Sequence, residues 1–162
     1  MGDDATMADD TDNSEDYDDY EDPFDERLNR SPGTLPVRDL VGDDVQRVPS
    51  SATLREVCAS LAERGVGIVG VGEGDQPLAG VVSERDIVAA MAAGADPDTT
   101  TAQDIEVEHV YYVDPSTTLE EVAAEMLSKW TRHLFVGEPE NLLGVVSARD
   151  VLGAYASGAD LD

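Results

Sequence analysis

The sequence of 162 residues is poor in several residue types, and each shortage excludes a class of function. Its single cysteine, Cys58, excludes an intramolecular disulfide and a metal cluster held by cysteines. Ten Lys and Arg residues stand against 36 Asp and Glu, and the net charge of -26 repels the phosphate backbone of a nucleic acid. No apolar run reaches the roughly 18 residues of a membrane span, so neither a membrane protein nor a secreted one is expected. The predicted location is therefore cytoplasmic.

The charged residues that are present are typical of a salt-adapted, haloarchaeal-like protein. Nine of the ten cationic residues are arginine, and Lys129 is the only lysine. The acidic residues are spread along the whole chain, and such a surface stays soluble in concentrated salt, where self-repulsion is screened. An ordinary acidic protein is the alternative interpretation.

Residues 1–30 differ in composition from the rest of the chain. The first 26 residues contain 13 acidic residues and no Lys or Arg. A segment with so few aliphatic residues buries too little apolar surface to offset the entropy of ordering it, so we predict a disordered acidic tail. Tyr17, Tyr20 and Phe24 would be available to anchor a partner, although acidic runs usually only interact with solvent.

The remainder of the chain contains an internal repeat. Residues 37–54 align with residues 102–119 at a constant offset of 65. The segment GVVSERD at residues 80–86 aligns with GVVSARD at residues 144–150, and six of these seven positions are identical. Agreement at this level indicates two copies of one structural unit.

The two units, at residues 37–94 and 101–158, show the same order of predicted elements. In the first unit Thr53 and Glu56 form a capping box ahead of a helix, and the second unit repeats this pattern. The apolar face of that helix is predicted to bury Cys58 as an unreactive residue. A hairpin and a second helix follow, which gives the order β-α-β-β-α twice. Because about 60 residues make a poor core, we predict an α/β (α+β) fold in which the units pack into one pseudo-symmetric module.

The repeated signature places a serine and an aspartate at the start of the second helix in each unit. These pairs are Ser83 with Asp86 and Ser147 with Asp150. They are ordinary helix caps by one interpretation, which the spacing alone favours. By the other, the helix start binds a phosphate and the Asp accepts hydrogen bonds from ribose hydroxyls. The two roles do not exclude each other.

The order of elements, the repeat length and the signature that ends both units resemble a pair of CBS (cystathionine beta-synthase) domains, also called a Bateman module. The resemblance implies a stand-alone regulatory sensor that forms a homodimer. It also implies that the cleft between the two motifs binds an adenosine-containing ligand, namely AMP, ADP, ATP or S-adenosylmethionine. It further implies an unknown regulated protein as partner, no required cofactor and no catalysis. No hydrolase, zinc-protease or phosphate-loop motif is present. A ligand-free structural or interaction module is the alternative.

The resemblance also assigns ligand contacts to particular residues. Arg132 and His133 stand where the family often faces ligand phosphates, and the matching Gly67 and Ile68 carry no charge, so the two sites are expected to differ in phosphate preference. Arginines at these places pair equally well with surface acids. A lone histidine is not expected to bind a metal. The predicted ligand-binding residues are Ser83, Arg85, Asp86, Arg132, His133, Ser147, Arg149 and Asp150.

Overall fold

The computed structural model describes residues 31–41, 45–74 and 76–159, and the acidic tail predicted at residues 1–30 lies outside them. Strands and helices follow the predicted order β-α-β-β-α in each unit. The additional elements are the short helix α3 and, ahead of β1, two single 3-10 turns at Pro32–Thr34 and Val37–Asp39. In chain order the strands and α-helices are β1 (Arg47–Val48), α1 (Leu54–Arg64), β2 (Ile68–Val71), β3 (Gly80–Ser83), α2 (Glu84–Ala92), α3 (Ala102–Ile105), β4 (Tyr112–Val113), α4 (Leu119–Ser128), β5 (His133–Glu138), β6 (Asn141–Ser147) and α5 (Ala148–Ala159).

The strands form two three-stranded sheets with the same topology, β1-β2-β3 and β4-β5-β6. In each sheet the first strand is parallel to the second, and the second is antiparallel to the third. The register also repeats, because Ile68 lies opposite Ser83 in one sheet and His133 lies opposite Ser147 in the other. The predicted α+β fold with two equivalent units is confirmed.

The capping boxes predicted from the sequence start the first helix of each unit. The Thr53 backbone N–H donates to Glu56 Oε2 at 2.7 Å, and the Thr118 backbone N–H donates to Glu121 Oε2 at 2.9 Å. Helix α1 ends at Gly65, whose φ of 65° is left-handed. Glycine adopts this conformation at little steric cost, which explains a helix end at this point.

Trp130 takes the place of Gly65 at the end of helix α4 in the second unit. Its φ is 54°, which makes it the sole non-glycine residue with a positive φ in the described part of the chain. The side chain is 85% exposed, so little packing offsets the backbone strain. A tryptophan held in this conformation by the fold is an unfavourable choice for stability.

We expect the substitution Trp130→Gly to raise the free energy of unfolding by up to about 1 kcal/mol, because the relief of left-handed strain exceeds the entropy cost of glycine. Chemical denaturation of the two proteins measures the difference. Trp130→Ala is the matched control, since it removes the same indole but keeps the Cβ atom that makes a left-handed backbone costly. A Trp130→Gly protein less stable than wild type would show that the indole makes a stabilising contact.

Each unit contributes the residue at its start to the buried core of the other unit. The backbone N–H of Val37, which precedes the first sheet, donates to the Thr117 carbonyl at 2.8 Å, and Val37 is buried in the core of the second unit. Ala102 makes the equivalent contact in the opposite direction. Its backbone N–H donates to the Ala52 carbonyl at 2.7 Å, and its side chain is buried in the core of the first unit. Neither unit therefore completes its core alone.

A third buried cluster joins the two sheets. Phe135 of β5 packs with Ile68 of β2 and Val81 of β3, and the Phe135 side chain is only 2% exposed. The Tyr112 ring lies with its centroid 6.1 Å from the Phe135 ring centroid. Val81 and Val145 come from the two signature segments, so this joint brings both segments into one packed cluster.

Candidate functional site

A cleft of about 980 Å³ lies between the two units. The first unit lines it with helix α1 and the starts of β2 and α2, and the second unit lines it with the starts of β5 and α5. Five of the eight residues predicted to contact a ligand come together here: Arg132, His133, Ser147, Arg149 and Asp150.

The other three predicted residues, Ser83, Arg85 and Asp86, do not line this cleft. Ser83 caps helix α2 together with Asp86. Arg85 Nη1 donates a hydrogen bond of 3.2 Å to the backbone carbonyl of Trp130 in the other unit. Their role in ligand binding stays a prediction, because the structure ties them to a cap and to an inter-unit contact.

The signature pairs form caps in both units, as one interpretation of the sequence requires. The Ser147 backbone N–H and Oγ donate to Asp150 Oδ2 at 2.7 Å and 2.6 Å, and Ser83 makes the same two bonds to Asp86 Oδ2 at 2.8 Å and 2.6 Å. A carboxylate has two oxygens and about four acceptor positions. Capping through Oδ2 therefore leaves Asp150 Oδ1 as an acceptor for a ligand in the cleft.

Arginine is concentrated in the cleft although the chain as a whole is acidic. Arg64, Arg132 and Arg149 all line it, which places three of the ten cationic residues of a chain with net charge -26 at one site. Arginine pairs with phosphate in a bidentate way. Arg64 was absent from the sequence-based set, although the repeat offered a signal, because Lys129 places a cation at the same position of the second unit.

His133 lines the cleft close to Gly67. A Cβ atom added to Gly67 would lie 3.1 Å from His133 Cε1 and 3.3 Å from Glu84 Oε2, so a side chain at this position would crowd the site. Burial and, after it, the charge of Arg132 lower the pKa of His133, whereas Glu84 and Asp150 act in the opposite direction. The imidazole is therefore mainly neutral at neutral pH.

The lowered pKa of His133 makes stability depend on pH in a defined direction. Protonation favours the unfolded chain, so the stability that neutral His133 contributes is present above pH 6.5, the unperturbed pKa, and is lost as the pH falls through the lower folded-state pKa. Between about pH 7 and about pH 5.5, we expect the free energy of unfolding of the His133→Gln variant to fall by less than that of the wild-type protein. Denaturant titrations at both pH values measure this, and equal losses in the two proteins would contradict it.

Cys58 is exposed and lines the cleft, so the prediction that it is buried is wrong. The fully buried face of helix α1 consists of Leu54, Val57 and Leu61. Cys58 follows Val57 by one residue, which turns its side chain by about 100° to the flank of that face. In this helix the flank borders the cleft instead of the core.

The described residues contain no helix that is both long enough and apolar enough to cross a membrane. Within residues 31–41, 45–74 and 76–159 there is also no group of three or more His, Cys, Asp or Glu side chains placed to hold a metal ion.

Known proteins share this fold and sequence pattern. Hypoxic response protein 1 of Mycobacterium tuberculosis is 30% identical over 115 residues, which cover 70% of this chain and 80% of that protein. A crystal structure of hypoxic response protein I with two coordinated zinc ions is 29% identical, with a TM-score of 0.62 over 74% of this chain and 98% of its own.

Two further solved structures match nearly their whole length. A putative signal-transduction protein with CBS domains from Burkholderia ambifaria is 26% identical, with a TM-score of 0.71 over 76% of this chain and 95% of its own. The CBS domain pair of protein MJ0100, described in complex with 5′-methylthioadenosine and S-adenosyl-L-methionine, is similar in fold alone. It is 17% identical, with a TM-score of 0.68 over 76% of this chain and 98% of its own.

The model of the CBS domain family matches this chain twice, at residues 37–93 and at residues 102–157. The two matches together span well over half of the sequence, and the solved CBS proteins share its fold. The chain therefore belongs to the CBS domain family and carries two CBS domains in tandem, an arrangement that is generally regulatory.

Proposed function

We propose that this protein is a regulatory sensor that binds an adenosine-containing ligand, namely AMP, ADP, ATP or S-adenosylmethionine, in the cleft between its two CBS domains. The observation that carries the proposal is the placement of Arg64, Arg132 and Arg149 around one cleft together with the Ser147–Asp150 cap. Because three of the ten cationic residues of this acidic chain line one cleft, the local charge favours an anionic ligand there.

Each part of the cleft suits one part of such a ligand. Asp150 Oδ1 accepts hydrogen bonds from vicinal ribose hydroxyls, in the way an acidic residue does in dinucleotide folds. The start of helix α5 and the guanidinium groups of Arg132 and Arg149 favour phosphate. The apolar residues of helix α1 that reach the cleft, Leu61 among them, offer a surface for a base.

We infer that occupancy of the cleft is passed on to a partner protein, and the position of the cleft supports this inference. Both units line it, and its residues Ile68 and Val145 belong to the joint around Phe135. A ligand that contacts both units favours the relative position of the units that fits it best, and this shifts the population of module conformations. We further propose that the module acts in the cytoplasm on a regulated protein that is still to be identified.

A homodimer is part of the same proposal. Val88 and Met91 on helix α2 are exposed, and Leu152 and Tyr155 occupy the equivalent positions on helix α5 and are exposed too. Two helices that present the same apolar positions suit an isologous two-fold interface. Light scattering in molar KCl measures the mass, and a monomer at micromolar concentration would contradict the dimer.

Calorimetric titration of adenosine, AMP, ATP and S-adenosylmethionine tests the ligand. The titrations are made in molar KCl because we propose a salt-adapted protein, whose acidic surface needs screening. Mass spectrometry of small molecules released from the purified protein runs alongside. Saturable binding of an adenosine compound is expected. A protein that binds none of the four compounds and releases none on denaturation would instead be a ligand-free interaction module.

A further inference from the structure

The two copies of the signature differ at one position, and in the first unit the residue at that position lines the cleft. GVVSERD has Glu84 where GVVSARD has Ala148. Glu84 begins helix α2 and lines the same cleft as the arginines. The repeat therefore shows that the fold accepts alanine here, and that this unit carries a carboxylate that the backbone does not require.

Glu84 lies close to the groups that would meet a phosphate. Its Oε2 is 3.3 Å from the point at which a Gly67 Cβ would stand, and His133 Nε2 is 3.2 Å from the same point. Arg132, the neighbour of His133, also lines the cleft. A carboxylate thus lies beside His133 in a cleft that Arg64, Arg132 and Arg149 also line.

We propose that Glu84 determines ligand specificity by limiting the negative charge that the cleft accepts. This inference rests on the proposed function, since it concerns the choice among adenosine ligands of different charge. Each added phosphate charge is repelled by the Glu84 carboxylate, while a ligand with a cationic arm is attracted by it. The arginines attract anions, and Glu84 sets how many charges are tolerated.

A purely structural role would give a different result. An acidic residue in the first turn of a helix also stabilises the helix through its dipole. Loss of that interaction lowers the stability of the protein and changes the affinity for every ligand alike. Dependence of the affinity change on ligand charge is therefore the property that separates the two roles.

The test compares Glu84→Gln with wild type against ligands of graded charge. The control is Glu63→Gln, which removes the same charge from an exposed residue of helix α1 that does not line the cleft. The probes are adenosine, AMP, ATP, S-adenosylmethionine and inorganic tripolyphosphate. Calorimetry gives the affinities, and protection of the Cys58 thiol from alkylation gives a second readout, since this single cysteine lines the same cleft.

We expect the affinity of Glu84→Gln to rise about threefold for AMP and about tenfold for ATP, to fall about threefold for S-adenosylmethionine and to stay unchanged for adenosine. Glu63→Gln is expected to match wild type. If AMP and ATP bind and Glu84→Gln alters both equally or not at all, the inference is overturned and the proposed function stands. If adenosine compounds fail but tripolyphosphate protects Cys58 more strongly in Glu84→Gln, the charge limit stands and the adenosine proposal falls. Absence of binding by every probe overturns both.

Discussion

Phe135→Ala is expected to lower the free energy of unfolding by about 3–5 kcal/mol, the usual loss for a large aromatic side chain removed from a core. Phe135 is 2% exposed and packs against Ile68 and Val81 of the other unit. The cavity would therefore open at the joint between the two sheets. The side chains around the cavity belong to strands of both sheets, so movement of one sheet alone would not fill it.

Guanidinium denaturation in molar KCl measures this loss, and Phe135→Leu serves as the matched control. Leucine keeps most of the apolar volume, so a loss of less than about 1.5 kcal/mol is expected for it. Because Ile68 and Val145 both belong to this joint and line the cleft, Phe135→Ala is also expected to weaken ligand binding. Equal stability of wild type and Phe135→Ala would mean that the two sheets do not depend on this joint.

Much of this fold could be predicted from the sequence because the same local patterns occur in both copies of the repeat. Capping residues such as Thr53 and Thr118 act within one turn of helix, so their pattern is local and easily read. The strand pairs of each hairpin are close in sequence as well. The signature therefore led to the correct elements and to Ser147, Arg149 and Asp150 of the cleft, whereas Arg132 and His133 were assigned by the family resemblance.

What the sequence could not predict depends on contacts between distant segments. The exchange of Val37 and Ala102 between the two cores follows from packing that no local pattern records. Cys58 lies at helical spacing with the core residues, yet the edge of that face borders the cleft. Pseudo-symmetry alone makes Arg85 and Arg149 equivalent, whereas the structure ties Arg85 to the Trp130 carbonyl and places Arg149 in the cleft.

The equivalent caps of the two units provide a paired test of the ligand site. Asp150 and Asp86 accept the same two hydrogen bonds from their serines, but only Asp150 lines the cleft described here. Removal of either carboxylate weakens a helix cap by about 0.3–1 kcal/mol, and by less in high salt. Both alanine variants should therefore fold and lose similar amounts of stability.

Asp150→Ala is expected to weaken binding of AMP and ATP in the cleft by roughly ten- to a hundredfold, since it removes a charged acceptor of the ribose hydroxyls worth about 1.5–3 kcal/mol. Asp86→Ala is expected to keep the wild-type affinity of this cleft, although its cap is equally damaged. Calorimetric titration of the three proteins in molar KCl measures the difference, with thermal unfolding as the check on folding. The contrast between the two variants excludes a general effect of cap loss, because both lose the same cap and only one loses a cleft carboxylate. Equal affinities in all three proteins would leave Asp150 as a helix cap and move the ribose contact to another residue of the cleft.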